Sequence, residues 1–185
     1  MRALIVLTAC LALVAGGCGS SDGDEIDRKI SDRLGGQGEQ DAQVLGEFTQ
    51  AMGPMAEIDI EIVKAFTAED VAAAQKGIDR LQRTGTKARA VGEKAESTEL
   101  REFLTKYAEG AGGVADAYQR VIDRPNATED EIVEDVTSAK RELQRHDARY
   151  NEALRAALPP DERKKADEHL RKMQKQFEEA SSGGG

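Results

Sequence analysis

Cysteine is missing from everything after residue 18, tryptophan is missing altogether, and aromatic side chains make up only 4% of the chain. With Cys10 and Cys18 both near the N-terminus, the body can hold no disulfide framework, no cysteine-ligated metal and no thiol nucleophile. It must be held together by packing. Proline is scarce too, with 4 residues in 185, and each marks a boundary. No segment shows the strict apolar/polar alternation of a half-buried strand. Charged residues reach 33%, and Ala, Glu, Lys, Arg and Leu dominate the remainder, a mixture that favours helix.

The formal net charge is −9. An acidic body repels nucleic acid and anionic lipid alike, so no nucleic-acid partner is expected.

The first residues have a different character. Arg2 supplies a short positive region, Ala3 to Ala15 are mostly apolar, and Gly16 and Gly17 follow. This is the layout of an export leader. It is short for a membrane span, which needs about 20 apolar residues. The stretch Val14-Ala15-Gly16-Gly17-Cys18 resembles the bacterial lipobox, in which small residues precede the cysteine that becomes the new N-terminus. The resemblance covers the leader alone, and Ala15 stands where leucine is commoner. It implies cleavage before Cys18 by the lipoprotein signal peptidase, a diacylglyceryl thioether on Cys18 as the lipid-attachment site, and often a further acyl chain such as palmitate on its amine. Two or more acyl chains suffice for durable anchoring, whereas one does not. Gly19 follows, so the aspartate that retains some enteric lipoproteins in the inner membrane is absent. Loss of the leader removes Arg2 and makes the mature form one unit more negative.

Residues 18–40 are rich in Gly, Ser, Asp and Glu and read as a flexible, lipid-anchored spacer. Ile26, Ile30 and Leu34 sit at helical spacing within it and suggest a transient turn or two, ended by Gly35-Gly36-Gln37-Gly38. Residues 41–180 read as the helical domain and 181–185 as a disordered tail.

Within the domain, Leu45, Phe48, Met52, Met55, Ile58, Ile62 and Phe66 recur at steps of three and four, which predicts a first helix over 39–66, kinked or broken at Gly53-Pro54. Thr67 reads as the cap of a second helix carrying Val71, Ala74, Ile78, Leu81, Ala88 and Val91. Ser97 opens a third, with Leu100, Phe103, Leu104, Tyr107, Ala111, Val114, Tyr118 and Val121 on one side. Thr128 and Glu131 form a capping-box pattern before a fourth helix with Ile132, Val136, Leu143, His146, Tyr150, Leu154 and Ala157. Pro159-Pro160 closes it and begins a fifth, with Ala166, Leu170, Met173 and Phe177. The expected fold is all-α, an antiparallel up-down bundle of four to five helices. Acidic Glu47, Glu57, Asp59 and Glu61 on the first helix and basic Lys76, Arg80, Arg83 and Lys87 on the second suggest that these two face each other.

Few residue groups in the chain combine into a chemical constellation. His146 and His169, with Glu142 or Glu168, would need a third fixed ligand to make a metal site, and the Glu-x-x-His repeat of di-iron bundles is missing. The basic stripe Lys76–Lys87 reads as a solvated face. Gly110-Ala111-Gly112-Gly113 is costly inside a helix and calls for close packing or a local break. It is no phosphate loop, because it follows no strand. Tyr107, Tyr118 and Tyr150 read as core with hydroxyls at its edge, and Met52 and Met55 as core filler. Asn126-Ala127-Thr128 matches a glycosylation sequon, but Thr128 already has a capping role. Glu57 and Asp59 do not share a helical face. The sequence therefore suggests a non-enzymatic, extracytoplasmic interaction or scaffold module at the cell envelope, without cofactor or metal. It would be held on a membrane through Cys18, facing the periplasm or the cell exterior, with an envelope protein as possible partner. The alternative is an extracytoplasmic protein that binds a small ligand or a metal in the bundle interior.

Overall fold

A computed structural model describes residues 21–160 together with 163, 164 and 171. The leader, Cys18, His169, the apolar positions of the expected fifth helix and the 181–185 tail lie outside the described residues. Among those residues six helices occur and no strand: α1 (Ser21–Arg33), α2 (Gly38–Met52), α3 (Met55–Thr67), α4 (Val71–Gly92), α5 (Thr98–Asp123) and α6 (Glu129–Ala157). The all-α bundle expected from the sequence is the observed fold.

The expected first helix is split. Gly53 and Pro54 separate α2 from α3, because Pro54 has no N–H to continue the ladder. The two halves act as one column. Glu61 of α3 pairs with Arg80 of α4, so the column faces α4 as the charge pattern suggested, and a further pair of Glu47 of α2 with Lys94 just beyond α4 shows that it runs antiparallel. α4 runs antiparallel to α5, with Gln75 bonded to Gln119 at one end and Arg89 paired with Glu109 towards the other. α5 runs antiparallel to α6, where Tyr107 meets Asp147 and Arg124 meets Asp135. Bonds from Thr49 to Tyr150 and from Lys140 to Asp59 tie α6 back to the α2–α3 column. Four columns thus close around one core.

Small residues on α4 are what bring the columns close. A Cβ at Gly77 would stand 2.5 Å from the Ile62 side chain, and one at Gly85 would stand 3.2 Å from the Ala108 carbonyl. The buried small residues Ala74, Gly77, Gly85 and Ala88 are part of that contact surface. On α5, Gly110 lies against Leu143, whereas a Cβ at Gly112 or Gly113 would meet nothing within 4 Å. The helix runs unbroken through all of them.

Two helix starts behave as expected. The Ser97 hydroxyl accepts from Leu100 N, and Thr128 and Glu131 complete the capping box. Thr67 is a correction. It ends α3, its hydroxyl donating to the Val63 carbonyl, while Asp70 caps α4 by accepting from Ala73 N.

The main correction concerns the spacer. Residues 21–33 form α1, and Gly38 already begins α2. Ile30 and Leu34 are 1% and 0% exposed, Ile26 is partly buried, and α1 packs on α2 and α6. The composition argument failed because this short apolar stripe has a partner surface elsewhere in the chain, and tertiary burial outweighs weak local propensity. Gly35 and Gly36 close the helix rather than dissolve it. Gly35 takes a φ of +91°, and Gly36 N donates to the Ser31 carbonyl at 2.8 Å, the six-to-one bond of a Schellman end.

Candidate functional site

Two polar clusters lie inside the bundle. The first joins three columns. Asp59 of α3 is 6% exposed, Lys140 of α6 2% and Tyr118 of α5 0%. Lys140 Nζ donates to Asp59 Oδ2 at 2.8 Å, and Tyr118 Oη donates to Asp59 Oδ1 at 2.7 Å. The ammonium also lies 5.2 Å from the centre of the Tyr118 ring, within cation–π range. Burial pushes the Lys140 amine down, and the attraction of Asp59 offsets only part of that. Burial, reinforced by Asp59, pushes the Tyr118 phenol well up. A cleft beside the pair is lined by Met55, Ala56, Leu81, Val114 and Leu143, with room for roughly one water molecule.

The second cluster sits under an aromatic group further along α6. Tyr107 Oη donates to Asp147 Oδ1, while Asp147 Oδ2 is buried without a hydrogen-bond partner. Burial raises the Asp147 carboxyl from 3.8 to about 6, against the opposing pull of the Tyr107 bond. Tyr107 packs against Phe48, Phe103 and Tyr150, and His146 stacks on it with ring centres 5.9 Å apart. Burial holds the half-buried His146 below its ordinary value; Glu142 opposes this, while Lys106, Arg149 and Arg145 reinforce it. Next to this group Thr49 and Tyr150 share a hydroxyl–hydroxyl bond of 3.1 Å. Burial pushes the Tyr150 phenol up to about 12, and the charge of Asp27 on α1 adds to the shift.

Asp59, Lys140 and Tyr118 satisfy one another, whereas Asp147 keeps one oxygen without a partner. Among the described residues no group of three or more His, Cys, Asp or Glu side chains could hold a metal ion. His146 rests on aromatic rings, and its proposed partner His169 lies outside the described residues. The tyrosines of the sequence reading are core, as expected, yet each carries a polar bond across columns. Met52 and Met55 are buried. Of the basic stripe, Arg80 pairs with Glu61, and Lys76, Arg83 and Lys87 are exposed.

Sequence reasoning missed Asp59, Lys140 and Asp147 as interior residues. A signal existed. Asp59 follows Met55 by four and precedes Ile62 by three, Lys140 fills the seven-residue gap between Val136 and Leu143, and Asp147 follows Leu143 by four and precedes Tyr150 by three. Each occupies a place on the apolar stripe that the helical period reserves for the core.

A third polar centre, at the end of the bundle, is structural. Asp41 is 0% exposed and accepts from Gln37 N at 2.8 Å and Glu96 N at 2.7 Å, with Ser97 N close by. The Ser97 hydroxyl donates to the Gly35 carbonyl. One carboxylate thus satisfies backbone donors of two separate turns. No helix among the described residues is long and apolar enough to cross a membrane. Compared with protein-family models, with curated proteins and with solved structures, the chain matches none.

Proposed function

We propose that this chain is an extracytoplasmic, lipid-anchored helical bundle acting as a non-enzymatic interaction or scaffold module at the cell envelope. The observation that carries the reading is the self-paired interior. Across the columns Asp59 is engaged with Lys140 and Tyr118, and Asp147 with Tyr107, so the outer surface is what the fold offers to a partner. The address rests on the lipobox-like segment ending at Cys18. Only Gly19 and Ser20 separate Cys18 from Ser21 of α1, and three residue steps span at most about 10 Å. With α1 docked, the lipid holds the bundle close against the bilayer.

Expression in a bacterium, with intact mass and membrane partitioning compared between the native chain and Cys18→Ala, tests the address. A mass matching cleavage before Cys18 plus acyl chains, with release of the variant from membranes, is the expected result. An unmodified, freely soluble native chain would overturn it. The second reading, a small-ligand protein, draws on the cleft beside Lys140. It requires that cleft to open, and a ligand-dependent rise in melting temperature in a small-molecule screen would favour it.

A further inference from the structure

The helix nearest the proposed anchor is attached differently from the rest. α1 fills the gap between the α2–α3 column and α6, whose backbones approach each other little and which the Thr49–Tyr150 and Asp59–Lys140 bonds join directly. Its apolar hold consists of Ile30 and Leu34, fully buried, and Ile26, partly buried. The remainder of the seam is polar. Ser31 is 0% exposed and its hydroxyl has no hydrogen-bond partner. Asp27 lies over the backbone of α2, where Oδ2 would stand 2.8 Å from a Cβ on Gly46. The Thr49–Tyr150 hydroxyl pair lies close to Asp27 on the same side of the bundle. A buried, unsatisfied hydroxyl favours the open state, in which water satisfies it. The hinge is built as well. Gly35 and Gly38 take φ values of +91° and +79°, and just beyond them Asp41 fixes the start of α2 to the α4–α5 turn.

We propose that α1 is a releasable clamp that sets how far the bundle stands from the membrane, docked in the seam between α2 and α6 in one state and swung out at Gly35–Gly38 in the other. The clamp follows from the seam and the hinge; its effect on standoff rests on the anchor reading above. With α1 docked, at most about 10 Å of chain lies between Cys18 and the bundle. With α1 released and unfolded, the 20 residue steps from Cys18 to Gly38 form a flexible tether with a root-mean-square span of roughly 25 Å. In both states the Thr49–Tyr150 and Asp59–Lys140 bonds hold α6 to the α2–α3 column.

Hydrogen exchange on the full chain, read by mass spectrometry, tests the clamp. Amides of α1 should exchange at least roughly 100-fold faster than those of α4 and α5, as expected of a sub-global opening. Ser31→Ala should slow exchange in α1 alone by about tenfold, by removing the stranded hydroxyl, and Leu34→Ala should speed it by about 100-fold. Equal protection of α1 and α5, or Ser31→Ala changing exchange evenly through the bundle, would overturn the clamp even if Leu34→Ala unfolds the protein. The standoff is read separately, by energy transfer from a dye on Val71→Cys to labelled lipid, in vesicles carrying the acylated chain. Leu34→Ala should lengthen that distance and Ser31→Ala shorten it. An unchanged distance refutes the spacer role. Absence of acyl chains on Cys18 refutes the anchor reading and the spacer role together, while the exchange pattern alone still decides the clamp.

Discussion

Replacing Asp147 by Asn should stabilise this protein at neutral pH, the opposite of what removing a buried hydrogen-bonded charge usually does. The carboxyl is 4% exposed, accepts one bond from Tyr107 and leaves Oδ2 without a partner. Its folded value of about 6 lies above the ordinary 3.8. A carboxyl raised on folding takes up protons on folding, so its contribution is most favourable below 3.8 and is lost as the pH rises through 6. Above that range the full cost is present. Two pH units and a little more, at about 1.36 kcal/mol each, amount to roughly 3 kcal/mol. Asparagine keeps an oxygen for the Tyr107 phenol and places an amide where the neutral acid would carry its hydroxyl. Allowing about 1 kcal/mol for that buried amide, the net gain at pH 7.5 is about 2 kcal/mol. For a domain of this size that is a rise of about 4–8 °C in Tm. Thermal and urea unfolding followed by circular dichroism at pH 7.5 and pH 4 would measure it, and the gain should vanish at pH 4, where the native carboxyl is already neutral. An Asn variant less stable at pH 7.5, or equally advantaged at both pH values, would refute the reasoning.

The other buried charge should respond in the opposite way. Lys140→Met strands Asp59 in the core with only Tyr118 for company and should cost about 3–5 kcal/mol, whereas the double variant Asp59→Asn/Lys140→Met should recover most of that loss; purely additive urea denaturation midpoints would contradict a coupled pair. On α5, Gly112→Ala and Gly113→Ala should each add about 0.8–1 kcal/mol, because a Cβ at either place meets open space and only the helix propensity changes. A loss of stability in either variant, measured by the same melts, would contradict that open space.

The sequence displayed the four columns because their apolar stripes are long and regular, and each binds a partner stripe of similar length. Thr128 with Glu131 and Ser97 marked two helix starts correctly, since capping is local chemistry. Thr67 misled because its hydroxyl turns back to the Val63 carbonyl, leaving Asp70 three residues on to cap α4. α1 was hidden for a different reason. Its Ile26, Ile30 and Leu34 were visible at helical spacing, but whether three apolar side chains hold a helix depends on a groove made by residues far away in the chain, and composition carries no record of that groove. The interior polar groups are hidden because a charged side chain has the same chemistry on a solvated face and in a buried pair, although a seven-residue step in a helical stripe is long enough to span a core position.

The geometry of those polar groups explains why they are there. The helices of this bundle meet largely through Ala, Gly and branched aliphatic side chains, and such surfaces tolerate sliding with little change in buried area. Directional pairs do not. Thr49 lies ten residues before Asp59, and Tyr150 ten residues after Lys140, so the Thr49–Tyr150 and Asp59–Lys140 bonds belong to a single antiparallel register of the α2–α3 column against α6. A shift by one helical turn would break both at once and bury Asp59 and Lys140 apart from each other, each uncompensated, at several kcal/mol per charge. Tyr107 with Asp147 and Tyr118 with Asp59 impose the same condition on α5. Asp147 also shows what that register costs, because its second oxygen finds no partner in the position the lock requires. The stabilisation expected of Asp147→Asn and the destabilisation expected of Lys140→Met therefore arise from one arrangement, in which polar groups are kept in the core to fix how the helices meet.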